Sequence, residues 1–342
     1  MLLVGLVLAG CVPTLSQPRG EAHLAAMREA TTHHHHGRMD EAAAAWGEAS
    51  RAAERRVDRD EADYRRARAL LRVERTDEAL AILDDLAARR PVGRRTVRAR
   101  FDAALIRLDR GEAAPAMEAF EHIVREHPGD GPASRSLRLW MDHHEDEPDA
   151  QLAFLRALYE RVGDTDLGDD VLTFVAAIHR ARGERDAAIA AYERLLEDHP
   201  YPHGQRWDET LHRLADMAVE AEDYDAAVAY LERMIAIHAH TITPGSQTLP
   251  GMPRARLRIA RIYRDHLDDP DRAAAHFRGT HDRFDTSRLR DDALYELGAM
   301  WLDRGRRDEG CRVLEEVVRE FEVGHARREA AERLERDCPR GR

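Results

Sequence analysis

Small and bulky apolar residues recur along this chain at one spacing. A turn residue is followed five positions later by a small residue and nine positions later by a bulky apolar or aromatic one, often with proline at seventeen. The copies start at Gly37 (Ala42, Trp46, Ala49), Glu74 (Ala79, Leu83, Pro91), Gly111 (Ala116, Phe120, Pro128), Gly183 (Ala188, Tyr192, Pro200), Ala221 (Ala226, Tyr230), Asp268 (Ala273, Phe277) and Gly305 (Gly310, Leu314). Successive starts differ by 37, 37, 72, 38, 47 and 37 residues. The 72 is twice 36, so a divergent copy belongs inside it, and Glu145 with Ala150, Phe154 and Ala157 fits. The 47 is one period plus an insertion of ten residues. Alanine, leucine, arginine and glutamate dominate, so the repeating elements are helices. Repetition at a fixed period of this length marks stacked units, each too small to bury its own apolar stripe.

The pattern resembles the tetratricopeptide repeat (TPR), whose period is near 34 residues. The best single match is residues 284–321, where Leu297, Gly298, Trp301 and Gly305 fall at the family's helix A and turn positions. The resemblance covers about residues 21–337. It implies an all-α, right-handed superhelical solenoid of about eight helix-turn-helix repeats, with a divergent copy near 132–162. Sixteen paired helices are then followed by a polar capping helix from about Ala326 to Asp337, and 338–342 form a tail. In such an array glycine ends helix A, the small residue lets helices A and B approach, and the aromatic fills the gap. Trp46, Phe120, Tyr192, Tyr230 and Phe277 are therefore expected in the core, each full burial contributing about 1.5–3 kcal/mol.

Composition narrows the function. The chain has 342 residues and a formal net charge of −12, against the basic character of a general nucleic-acid binder. All 53 of its Lys+Arg residues are arginine, which excludes Schiff-base lysines and a phosphate-loop lysine. The motifs GxSxG, GxGxxG, CxxC and HExxH are absent too, so no enzyme, cofactor or small-molecule substrate is expected.

The N-terminus reads MLLVGLVLAGC. Its apolar run, Leu2 to Ala9, is far shorter than the ~20 residues of a membrane-spanning helix, and it has the character of an export signal. Leu8, Ala9, Gly10 and Cys11 resemble the bacterial lipoprotein box, although no basic residue precedes the run. The resemblance implies a cleaved signal at 1–10, acylation of Cys11, a tether over 11–20 with two prolines and a glycine, and a lipid-anchored protein facing the periplasm. Val12 in place of aspartate favours the outer membrane.

With Cys11 acylated, Cys311 and Cys338 remain as an even pair in an oxidising compartment. An antiparallel return over about 27 residues could join them; the alternative is two unpaired thiols. Four histidines, His33 to His36, precede the first turn. His33 and His36 would fall on neighbouring helix faces as two candidate metal ligands, with no cysteine or acidic pair nearby to complete a site. The segment 239–253, AHTITPGSQTLPGMP, carries no Asp, Glu, Lys or Arg and reads as an insertion loop, either a partner contact or a tolerated surface loop.

By repeat register the concave, helix A face includes Tyr64, Arg68, Arg72, Arg98, Phe101, Arg254 and Arg258. Arginine among aromatics suits an acidic or C-terminal peptide. Residues 89–110 carry eight arginines. The lysine–asparagine clamp of chaperone-binding TPRs is missing: the matching positions hold Tyr64 with Arg68 and Phe101 with Leu105. The reading is a non-catalytic, lipid-anchored scaffold binding envelope proteins or peptides. The alternatives are a pilotin-like lipoprotein escorting a secretin or pilus component, and a periplasmic metal binder using His33–His36.

Overall fold

The computed structural model describes residues 19–236 and 251–338. The predicted signal, Cys11, most of the tether, most of the 239–253 insertion and the end of the tail lie outside the described residues. Among the described residues there are seventeen α-helices and no strand. None of the helices is long and apolar enough to cross a membrane.

The helices form two compact units, one up to Leu167 and one from Gly168. The first holds four hairpins: α1 (Glu21–His35) with α2 (Met39–Ala52), α3 (Arg56–Arg72) with α4 (Thr76–Ala88), α5 (Arg94–Asp109) with α6 (Ala113–Glu126), and α7 (Ala133–His143) with α8 (Pro148–Val162). The second holds α9 (Asp166–Ala181) with α10 (Arg185–Asp198), α11 (Trp207–Glu220) with α12 (Tyr224–Ala236), α13 (Gly251–Asp265) with α14 (Pro270–Arg283), and α15 (Arg290–Asp303) with α16 (Arg307–Glu320). Helix α17 (His325–Asp337) packs on both α15 and α16.

One device builds most of these hairpins. The residue that ends helix A takes a left-handed conformation, as Gly37 does at φ 74° and Gly183 at φ 74°. The next N–H then donates to the carbonyl five residues back: Arg38 to His33 at 3.0 Å, Glu112 to Arg107 at 2.9 Å, Arg306 to Trp301 at 2.8 Å. This satisfies carbonyls that the helix end would otherwise leave open. The reversed chain brings two small residues together across the hairpin. Ala30 meets the register of Ala42, Ala67 that of Ala79, Ala104 that of Ala116, Ala176 that of Ala188 and Ala215 that of Ala227, all fully buried. In the last hairpin the two are glycines. A Cβ on Gly298 would sit 2.7 Å from Leu314 Cδ2, and one on Gly310 would sit 2.7 Å from Leu302 Cγ. The bulky residue one turn further along helix B locks the pair: Trp46, Leu83, Phe120, Leu155, Tyr192, Leu231, Phe277 and Leu314 are all buried.

Two copies run one residue out of the register read from the sequence. In the sixth, Glu222 rather than Ala221 is the left-handed residue (φ 58°), and Asp223 N–H donates to Ala218 at 2.9 Å. Ala227 and Leu231 are therefore the core pair, and Tyr230 is only half-buried. In the divergent copy Ala150 is exposed, and the close-approach position holds Gln151, buried, donating from Nε2 to the Met141 carbonyl at 2.8 Å. The interlocking residue there is Leu155, while Phe154 stacks on Trp140 at 3.8 Å. In the sixth copy the left-handed residue is a glutamate, and at the turn of the divergent copy no residue takes that conformation. The end of the expected insertion is corrected as well. Gly251, Met252 and Pro253 open α13 and are buried.

Candidate functional site

Arginine is the chemistry this chain has in excess, so the question is which guanidinium groups remain available. Most around α3 to α6 do not. Arg89 donates to Asp60 at 2.8 Å, to Asp63 at 2.6 Å and to Asp85 at 2.6 Å; burial opposes its charge, but these three carboxylates outweigh it and raise its pKa. Arg95 donates to Glu61 at 2.5 Å, Arg107 to Asp84 at 2.7 Å and Arg110 to Asp77 at 2.6 Å. The arginine-rich segment 89–110 is thus largely an ion-pair ladder between neighbouring helices.

The residues expected on the helix A face separate into three groups. Tyr64 and Arg98 belong to an internal network. Buried Tyr64 donates its hydroxyl to Asp102 Oδ2 at 2.7 Å, Arg98 Nε lies 3.2 Å from the other oxygen, and Arg95 covers the Tyr64 ring at 4.5 Å. Burial, and then Asp102, push the Tyr64 pKa up. Phe101 is corrected from contact residue to core: it is fully buried and faces Phe120 at a ring distance of 5.7 Å. Helix α5 turns that position into the hairpin together with Val97 and Ala104, which are four and three residues away and also buried. In the second unit, Arg258 is held by Asp216 and by His212 Nδ1 (3.1 Å), while Arg254 is exposed.

Arg68 and Arg72 form the third group. With Arg65 they line a pocket of about 290 Å³, walled by His34 and His35 of α1 and floored by Trp46 of α2. Arg65 Nε donates to Glu61 at 2.7 Å. Arg68 is half exposed, its nearest carboxylate, Asp102, being 3.8 Å away. Arg72 is exposed and makes no ion pair among the described residues. No carboxylate lines the pocket. Trp46 is 4% exposed, its ring 5.5 Å from that of His34, and its indole Nε1–H is buried with no acceptor. An unpaired buried donor costs about 1–3 kcal/mol. Sequence reasoning placed Trp46 in the core, correctly, and missed that it also lines a pocket with three guanidinium groups.

The histidine run splits up on folding. His36 Nδ1–H donates to the Thr32 carbonyl at 2.7 Å, His33 Nε2 lies 3.7 Å from the Glu29 carboxylate, and His34 and His35 turn to the pocket. His33 and His36 do not converge on a common point, and the guanidinium groups beside the other two repel a cation. The metal-type grouping among the described residues lies elsewhere: His281, Glu316 and Glu320, with ligand atoms within 4.8 Å of one another. Each member is already engaged. Arg278 forks onto Glu316 at 2.7 and 2.9 Å, Arg290 donates to Glu320 at 2.7 Å, and His281 sits between Asp282 and Glu320 at 2.7 and 3.0 Å. It is a neutralised ion-pair cluster bracing α14 against α16. Cys311 and Cys338 are joined by a disulfide, with Cα atoms 5.9 Å apart, tying the end of α17 to α16.

Comparison with known sequences agrees with the hairpin geometry. The tetratricopeptide repeat profile matches residues 64–131 and 212–287, and a second profile of the same repeat matches 171–201. The chain carries tetratricopeptide repeats. Among solved structures, the human IFIT1 dimer with m7Gppp-AAAA is 17% identical over 90% of this chain and 80% of that one, at a TM-score of 0.42. A tetratricopeptide repeat protein from Parabacteroides merdae is 13% identical over 80% of this chain and 98% of that one, at 0.35. The P58(IPK) TPR domain is 17% identical over 92% and 88%, at 0.30. No curated protein matches the chain in sequence. These likenesses bring no ligand with them. A TPR array is a scaffold for protein–protein contact, and what this one contacts has to be argued from its own side chains.

Proposed function

We propose that this chain is a lipid-anchored TPR scaffold that holds protein partners at the bacterial envelope, on the periplasmic side of the outer membrane. One observation carries the reading. The sequence has three cysteines, and two of them, Cys311 and Cys338, are bonded to each other. Structural disulfides belong to oxidising compartments, the bacterial periplasm among them. The remaining cysteine is Cys11, the last residue of the Leu8–Ala9–Gly10–Cys11 box behind a short apolar run. A thioether-linked lipid there would tether the array through residues 12–20, whose prolines, glycine and polar residues suit a flexible linker.

The scaffold role rests on the repeats themselves. The test is the mass of the mature N-terminal peptide from the native host. Loss of residues 1–10 with an acylated Cys11 is the expected result, and Cys11→Ser should move the protein out of the membrane fraction. An intact, unmodified Met1 in the native protein would sink the envelope reading. Partner capture needs acid- or photo-reactive cross-linkers, because the chain has no lysine.

A further inference from the structure

Where α13 packs on α14, two arginines meet each other instead of an acid. Their neighbours are paired: Arg258 with Asp216, Arg261 and Arg264 with Glu296, Arg272 with Asp269 and Arg278 with Glu316. Arg256 of α13 and Arg283 of α14 make no hydrogen bond or ion pair among the described residues, and every Asp and Glu of the chain lies among those residues. Gly279 is the meeting point. A Cβ there would lie 2.3 Å from Arg256 Nη1, so the Arg256 guanidinium rests on the bare backbone of α14. His276, Gly279 and Arg283 form one stripe of that helix, at i, i+3 and i+7. Arg256 is half-buried, Arg283 is exposed, and Arg256 Nε and His276 Nδ1 are buried without partners. Burial and then Arg283 pull the Arg256 pKa down; burial and then both arginines pull that of His276 down to about 4, which keeps its ring neutral. A charge taken partly out of water is ordinarily paired. This one faces a second cation.

We propose that Arg256 and Arg283 clamp a tetrahedral dianion beside His276: a phosphate, either free or as a monoester. Charge and direction select it. Two guanidinium groups without acids match a group that carries about −1.5 to −2 charges at pH 7, where a carboxylate brings only one. Arg256 arrives from α13, and Arg283 from one turn further along α14 than Gly279, so their N–H groups approach from different helices. Oxygens set around one phosphorus can meet both, whereas a carboxylate presents its two oxygens in one plane. The contacts are the terminal nitrogens of the two arginines. The buried Arg256 Nε and His276 Nδ1 are not contacts; they show how little water reaches beneath the guanidinium, and poor hydration strengthens its attraction for an anion. Gly279 keeps the seat open, because a larger residue there would displace the Arg256 side chain. A metal cation is repelled by the same two groups. The site needs neither the lipid anchor nor a protein partner, and it goes beyond both.

The purified full chain should be titrated calorimetrically at constant ionic strength with inorganic phosphate, sulfate and acetate, and with phosphatidylcholine vesicles that do or do not contain phosphatidic acid, a lipid phosphate monoester. Phosphate and sulfate should bind saturably and acetate about tenfold more weakly or worse. Arg283→Gln should weaken phosphate about tenfold, the worth of one charge-assisted hydrogen bond. Gly279→Ala, which pushes a methyl group against Arg256, should also weaken it. Arg72→Gln, an exposed arginine of the first unit, should leave it unchanged. The bound dianion should also raise the His276 pKa from about 4, read from its imidazole proton resonances, because it offsets the arginines that hold that value down. Arg283-dependent binding of phosphatidic acid vesicles without binding of the free ions would keep the dianion assignment and make a membrane surface its source. Binding of neither phosphate probe, acetate binding as well as phosphate, an unaffected Arg283→Gln variant, an equal loss with Arg72→Gln, or a His276 pKa indifferent to the bound anion would each overturn the proposal. Should Gly279→Ala not fold, the exposed Arg283→Gln variant still decides. An unacylated chain can show the anion binding and an acylated one can lack it, so this inference and the envelope reading fail separately.

Discussion

At the last hairpin both close-approach positions are glycines, Gly298 and Gly310, the bulky residue between the helices is Leu314, and a disulfide fastens the polar helix α17 over the pair. At the first hairpin the same positions are Ala30 and Ala42, the bulky residue is Trp46, and the side of the pair toward α3 opens into the arginine pocket. An array end lacks a neighbour to cover its apolar stripe. The C-terminal end meets this with a covalently held cap: Arg333 of α17 pairs with Asp303 of α15 and with Asp337 at 2.8 Å. The hairpin at the N-terminal side instead carries histidines on its last turn and leaves cationic side chains open to a ligand. The same repeat frame is thus spent on rigidity in one place and on accessible charge in the other.

The largest blow to the rigid end is loss of the disulfide. Cys311→Ser with Cys338→Ser opens a link of sequence separation 27, worth about 3 kcal/mol in the chain-entropy model. Hydrogen exchange should show α17 released first, with amides of α1 to α3 unchanged; equal loosening of both would deny that the cap acts locally. Gly298→Ala should cost about 1–3 kcal/mol by forcing a methyl group against Leu314. Its counterpart Ala30→Gly should cost less, about 0.5–1 kcal/mol, and a thermal melt of the two variants would reverse the contrast if the glycine contact were slack.

Acid should separate the units more gently. His212 and His276 of the second unit have their pKa values lowered to about 4, first by burial and then by nearby arginines: Arg258 and Arg254 for His212, Arg256 and Arg283 for His276. The unfolded chain takes up these protons near the ordinary imidazole value of about 6.5, while the folded chain resists until about 4. Stability is therefore complete above about pH 6.5 and is lost as pH falls through that window, on the order of 1–2 kcal/mol per histidine. In the first unit His122 is lowered in the same direction, chiefly by burial. Urea denaturation at pH 7 and pH 5 should show the loss, and His212→Asn should reduce it; a flat profile would mean that both rings are charged or freely hydrated in the fold.

Glycine helped the reading of the sequence without deciding it: Glu74 and Asp268 are left-handed without being glycine, and their copies were still in phase. At Gly37, Gly111, Gly183 and Gly305 the turn residue, the small residue and the bulky residue all fell in phase, because glycine adopts the left-handed turn without strain and so announces it. Glu222 adopts the same conformation unannounced, and the sixth copy was read one residue early. The pocket was half legible. Arg68 and Arg72 stand on the helix A face as their register requires. Phe101, predicted beside them, is core, and Trp46, predicted to be core, also lines the pocket.

What the sequence determined by itself is the local and periodic part: paired helices, their turns, the small and bulky residues that interlock, and the cysteine count. These follow from spacing along one chain, where i+3 and i+4 neighbours and hairpin partners twelve residues apart are set by helix geometry. Only the tertiary structure decided which arginines are free. Arg89 meets Asp60 across 29 residues, Tyr64 meets Asp102 across 38, and Arg72 meets no carboxylate among the described residues. Every one of these arginines carries the same charge in the sequence. Coulomb attraction over a few ångströms distinguishes them, and those distances exist only once the helices have packed.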